Sequence, residues 1–123
     1  MAVSFLAALR RPRAERTSRR VLVRHGGATV ADSTRGWRVR EWPRRAAYYL
    51  PREDVSGRLT LSARRTTCPY KGVASYWDLH AGDAVVRDAA WSYEDPKPGY
   101  AELRGMVAFY PSKVDKLTVG GAG

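Results

Sequence analysis

The sequence predicts a mainly β, antiparallel domain. Three observations carry this. Short runs of β-formers recur along the 123 residues, Gly, Pro, Asp and Ser turn signals separate them every 8–12 residues, and no long stretch has helical periodicity. The length suits one domain, and 44% apolar residues suffice for a packed core, which excludes wholesale disorder.

In chain order, residues 21–25 alternate Val21, Val23 and His25 on one face and form the first strand. Gly26-Gly27 is a two-residue hairpin signal, because such turns need positive φ. The return strand covers 28–31, and Asp32-Ser33-Thr34 ends it. Residues 37–42 alternate again until Pro43, and 46–50 form a short strand closed by Pro51. Residues 74–80 and 84–93, joined by Ala81-Gly82-Asp83, give the clearest hairpin. A helical turn at 100–104 and a strand at 106–110 complete the pattern.

Charge sets the expected limits of the domain. The net charge is +10, with 18 Arg and 4 Lys. Residues 1–20 hold six Arg against Glu15 alone, residues 21–65 contribute +6, and the remainder contributes −1. The apolar segment 1–9 precedes the arginines, the reverse of an export signal, which points to a cytoplasmic protein. No apolar run reaches the ~18 residues of a membrane helix, so no membrane partner is expected. The expected organisation is a flexible Arg-rich leader over 1–18, one β domain over 19–117, and a frayed tail over 118–123.

Four segments carry a family pattern: Tyr48-Tyr49-Leu50-Pro51-Arg52-Glu53-Asp54-Val55, Thr67-Cys68-Pro69-Tyr70-Lys71-Gly72, Ala74-Ser75-Tyr76-Trp77, and Ala89-Ala90-Trp91-Ser92-Tyr93-Glu94-Asp95-Pro96. With Val107-Ala108-Phe109-Tyr110 they resemble the domain of unknown function 427 family over about 21–115. The resemblance implies a compact β-tent-like domain, in which two antiparallel sheets meet at an angle, with one or two short helical turns. It also brings a nucleotidyltransferase-like label. The sequence has no glycine-rich phosphate loop leading into a helix and no two-metal carboxylate pattern, so its motifs do not support that label. Related β-tent folds hold zinc through clustered cysteines. Cys68 stands alone, so no metal and no cofactor are expected.

Two charged turns are the candidates for chemistry. In Pro51–Val55, Arg52 suits an anionic oxygen, and Asp54 would orient Arg52 or act as a base. The plainer reading is a surface turn with a weak ion pair. In Cys68–Gly72, Lys71 is an anion anchor, proton donor or Schiff-base amine, and Tyr70 a proton donor or stacking group. Cys68 is a nucleophile if activated and otherwise a small buried side chain. Arg52, Asp54, Tyr70 and Lys71 are the expected catalytic set. Tyr48, Cys68, Tyr76 and Trp91 are the expected ligand-binding set, lining a cleft between two sheets with Arg52 and Lys71 at its rim.

The first-ranked function is binding, or acting on, a small oxygen-rich or anionic metabolite, flat or aromatic, with elimination (a lyase or dehydratase) or hydrolysis as the reaction class. Second is a non-catalytic interaction module or homodimer formed through an exposed strand edge. Nucleic-acid binding through the basic N-terminal half ranks last, because so much of the charge lies in the expected leader.

Overall fold

The computed structural model describes residues 11–41 and 43–120. The apolar segment 1–9, Trp42 of the expected strand 37–42, and the last three residues of the expected tail lie outside them. Ten strands occur in the described residues: β1 (Arg13–Arg16), β2 (Val21–His25), β3 (Ala28–Ser33), β4 (Trp37–Arg40), β5 (Ala47–Leu50), β6 (Arg58–Cys68), β7 (Gly72–Ala81), β8 (Ala84–Ser92), β9 (Val107–Phe109) and β10 (Lys116–Val119). They form two antiparallel sheets, one ordered β1-β4-β5-β9-β8-β7-β6 and the other β10-β2-β3. Short 3-10 segments at Arg52–Asp54, Pro98–Leu103 (two turns joined across a kink at Tyr100) and Pro111–Lys113 are the only helical elements among the described residues. The chain is thus mainly β with two antiparallel sheets, as the sequence predicts.

The small sheet packs over one face of the large one. Val21, Val23, Val30 and Ala31 meet Leu50, Leu79, Ala90, Val107 and Phe109 in one buried cluster. Alternation explains both contributions: β-branched residues at every second position of β2 point inward, and a pleated strand sends them to one face. Gly26 and Gly27 have φ of 59° and 77°, as a two-residue hairpin turn between right-twisted strands requires.

The opposite face of the large sheet carries a second cluster. Cross-strand register lines up Trp37, Tyr49, Ala108, Trp91 and Tyr76 on β4, β5, β9, β8 and β7. Tyr93, Tyr100, Leu103 and Met106 close over this row. The two faces of one sheet therefore hold two different interiors, one aliphatic and one aromatic.

Three expectations need correction. Part of the expected leader is folded: β1 pairs with β4, Pro12 carbonyl accepts the Tyr100 hydroxyl at 2.6 Å, and Thr17 N–H donates to Gly36 carbonyl. The tail is folded as far as Val119, which pairs with Val21 on β2. β6, the longest strand at 11 residues, occupies a stretch that alternation did not mark. Its register breaks between Leu61 and Arg65, which scrambles the two-residue period.

Candidate functional site

The β6–β7 turn builds the site. Gly72 has φ of 116°, and a Cβ there would meet the Asp95 carbonyl at 3.3 Å, so only glycine lets the chain turn this closely against residues 95–97. Lys97 ties the turn from outside, donating its backbone N–H to Lys71 carbonyl and its Nζ to Pro69 carbonyl, both at 2.9 Å. The Lys71 side chain is thereby driven inward. The residue is 4% exposed, its Nζ donates to Glu41 Oε2 at 3.0 Å, and it lies 5.4 Å from the centre of the Tyr93 ring.

An aromatic row runs from that ammonium. Tyr93 lies 6.2 Å from Tyr49, and Tyr49 lies 5.9 Å edge-on from Trp91. Trp91 Nε1 donates to the Tyr49 hydroxyl at 2.8 Å, and its ring lies 4.4 Å from Tyr110. Tyr76 shares a 2.8 Å hydrogen bond with Thr66, and Arg64 covers its ring at 4.5 Å. A cation therefore caps each end of the row, Lys71 over Tyr93 and Arg64 over Tyr76. Burial pushes the Tyr49 and Tyr93 hydroxyls far above the ordinary phenol range. Burial, with the neighbouring Tyr76, pushes Tyr110 up to about 12. All three hydroxyls stay protonated at physiological pH. Cys68 and Tyr70, both half-buried, pack against the same cluster.

Of the expected site residues, the structure brings together Lys71, Tyr70, Cys68, Tyr76 and Trp91. It does not bring Arg52, Asp54 or Tyr48 to them. Arg52 lies over the Trp77 ring at 4.6 Å and donates to Glu94 at 3.0 Å and to Gly105 carbonyl at 3.3 Å. The Ser92 hydroxyl donates to the same Glu94 oxygen and accepts Trp77 Nε1 at 2.9 Å. Ser92 and Tyr93 are consecutive on an extended chain and point to opposite sides, so Arg52 and Lys71 sit on opposite faces of the sheet. Tyr48 belongs to the aliphatic side with Leu50 and Val107. The expected cleft lined jointly by Tyr48, Tyr76 and Trp91 is therefore not formed.

Asp54 does not orient Arg52. It accepts Arg35 at 2.9 Å and the Ser33 hydroxyl at 2.7 Å, and these bonds hold its carboxyl below the usual range. The 3-10 turn at Arg52–Asp54 sends the two neighbouring charges to different elements.

Sequence reasoning missed Glu41, Tyr49, Tyr93 and Arg64 as members of the site. Glu41 left one signal: it is the only acidic residue between Asp32 and Glu53, in a segment otherwise full of arginine. Among the described residues, no three His, Cys, Asp or Glu side chains group as metal ligands. Nor is any described helix long and apolar enough to cross a membrane.

A family model described as a domain of unknown function (DUF427) matches residues 13–120. No curated protein matches the chain.

Proposed function

The chain belongs to the domain of unknown function 427 family, and from that premise we propose that it binds a small, flat, oxygen-rich anion on the aromatic face beside Lys71. One observation carries the reading. The Lys71 ammonium has three donors in a nearly dry site, and among the described residues one of them is used, on Glu41. Removing an ammonium from water is costly unless its donors find acceptors. A carboxylate or enolate oxygen would take the free donors. The tilted rings of Trp91 and Tyr110 suit a planar body. The Lys71–Glu41 pair can also exchange a proton with a bound oxygen, which keeps elimination and hydrolysis as the reaction classes to assay.

Thermal shift against a panel of aromatic carboxylates, 2-oxo acids and enolisable acids tests this. At least one member should raise Tm in the wild type and in Arg52→Gln, and fail to do so in Lys71→Met. A ligand that stabilises Lys71→Met equally, or a panel with no active member at millimolar concentration, overturns the reading.

A further inference from the structure

All twelve acidic residues lie among the described residues, and nine of them pair with a basic side chain. Thirteen described Lys and Arg side chains are left without a carboxylate, and six of these arginines gather in one place. Arg11, Arg13, Arg16, Arg40, Arg44 and Arg45 are all exposed, and all lie on β1, on β4 or in the segments flanking them, at one outer edge of the large sheet.

Register concentrates the charge of this edge. Arg13 on β1 stands directly opposite Arg40 on β4. Directly opposed residues in an antiparallel pair bring their Cβ atoms to about 5 Å, and like charges there oppose folding. The neighbouring pair shows the usual solution: Glu15 opposes Arg38, and the two form a 2.9 Å ion pair. The two acids of this region are thus engaged, Glu15 by Arg38 and Glu41 by Lys71. Arg13 and Arg40 repel each other with no internal compensation. An external anion would supply it.

The shape of the edge selects among anions. Arg13 and Arg16 are three residues apart and project to opposite sides of β1, so the positive charge wraps the edge. Arg16 lies 5.9 Å over Trp37, which adds a half-exposed aromatic face to the surface. A second copy pairing along β1 would bring arginine against arginine. The exposed large apolar side chains among the described residues, Leu61, Val73 and Val85, belong to β6, β7 and β8 at the far side of the sheet, where they cannot help this edge enter a lipid surface. What remains is a long, flexible polyanion whose charges repeat and whose bases can meet an indole.

We propose that the arginine edge formed by β1 and β4 docks the phosphodiester backbone of a nucleic acid. Guanidinium forks match phosphate oxygens bidentately, and five or six such contacts give affinity without sequence preference. This surface borders the Lys71 site, sharing Trp37 with the aromatic row and flanking Glu41, but anion docking there needs no ligand at Lys71.

Fluorescence anisotropy of the full chain with labelled ~20-nucleotide single and double strands tests it. Between about 50 and 200 mM salt, affinity should fall roughly 10²- to 10³-fold. Arg13→Gln/Arg40→Gln should flatten the log–log salt slope by roughly two, while Tm stays level or rises because a like-charge contact is gone. Arg44→Gln/Arg45→Gln, in an exposed loop, should weaken binding without touching the strand pair. The control is Arg24→Gln/Lys116→Gln, which removes the directly opposed like-charge pair on the small sheet. It should change affinity less than twofold. Absence of binding at low salt, equal losses in the control, an unchanged slope in Arg13→Gln/Arg40→Gln, or tighter binding to phosphatidylglycerol vesicles than to either strand overturns the proposal.

Discussion

Lys71 and Glu41 share an ion pair whose two ends differ in their access to water. The Lys71 side chain is 5% exposed and that of Glu41 29%. Deleting either charge strands the other, but the stranded groups do not suffer equally. Glu41→Gln leaves an ammonium in a dry aromatic site and should cost about 2–4 kcal/mol, whereas Lys71→Met leaves a carboxylate that water already reaches and should cost about 1–2 kcal/mol. Urea unfolding of the two single variants and the double variant measures this. The double variant should recover part of the Glu41→Gln loss. Equal losses in the two single variants would mean the pair is not buried in solution. The same site marks the limit of sequence reasoning at this scale. Lys71 was legible because Pro69 and Gly72 frame it in a rigid turn. Its partner lies 30 residues away, just past the end of β4, and nothing local to Glu41 names Lys71. Arg52 and Asp54 failed for the opposite reason, since adjacency in sequence suggested a partnership that one 3-10 turn abolishes.

Elements were legible where alternation and turn chemistry agreed. The β2–β3 hairpin followed from Gly26-Gly27 and the β7–β8 hairpin from Ala81-Gly82-Asp83. β1 was not legible, because Arg-Ala-Glu-Arg has no apolar face of its own and becomes a strand only by pairing with β4. β10 was missed because the neighbouring glycines read as a frayed end, while Leu117 and Val119 find the aliphatic cluster beyond it. The turn from β6 into β7 joins fold to site, and Gly72→Ala tests that joint. Alanine resists a φ of 116° and would press on the Asp95 carbonyl, so a loss of about 1–3 kcal/mol is expected. Gly82→Ala is the comparison: it also has positive φ, at 60°, but nothing lies within 4 Å of its added Cβ. Gly82→Ala should be the milder change, and Gly72→Ala alone should weaken whatever ligand depends on Lys71. Equal Tm losses with intact ligand response would show that the turn does not position the lysine.

At the scale of the whole molecule, the two sheets and their ion pairs set a stability window in pH. Asp78 accepts the N–H of Asp88 at 2.8 Å and Arg87 at 3.0 Å. Asp88 lies in the left-handed region at φ 49°, beside the register break between β7 and β8, so Asp78 pins the bulge that the curved hairpin needs. These bonds, the Asp88 N–H foremost, hold the Asp78 carboxyl below its usual range. Asp54 is held low by Arg35 and Ser33. A carboxyl whose folded pKa is depressed stabilises the fold fully above its unfolded value near ~4, and that contribution fades as pH falls through the folded value. Protonation also raises a net charge that is already +10, which adds self-repulsion. Tyr49, Tyr93 and Tyr110 bound the other side. Their raised values stabilise the fold below the ordinary phenol value near ~10, and the contribution fades as pH rises past it. Thermal unfolding across pH should therefore give a plateau, as far as these groups determine it, between about pH 4 and 10. Asp78→Asn should lower stability by about 1.5–3 kcal/mol on the plateau, with a deficit that narrows toward strong acid, so its acid limb is flatter than the wild type's. Tyr93→Phe should flatten the alkaline limb and leave the acid limb unchanged. An Asp78→Asn curve parallel to the wild type's throughout would mean that the carboxylate's charge contributes nothing to the bulge, and that hydrogen bonding by the side-chain oxygen alone holds β7 and β8 in their present register.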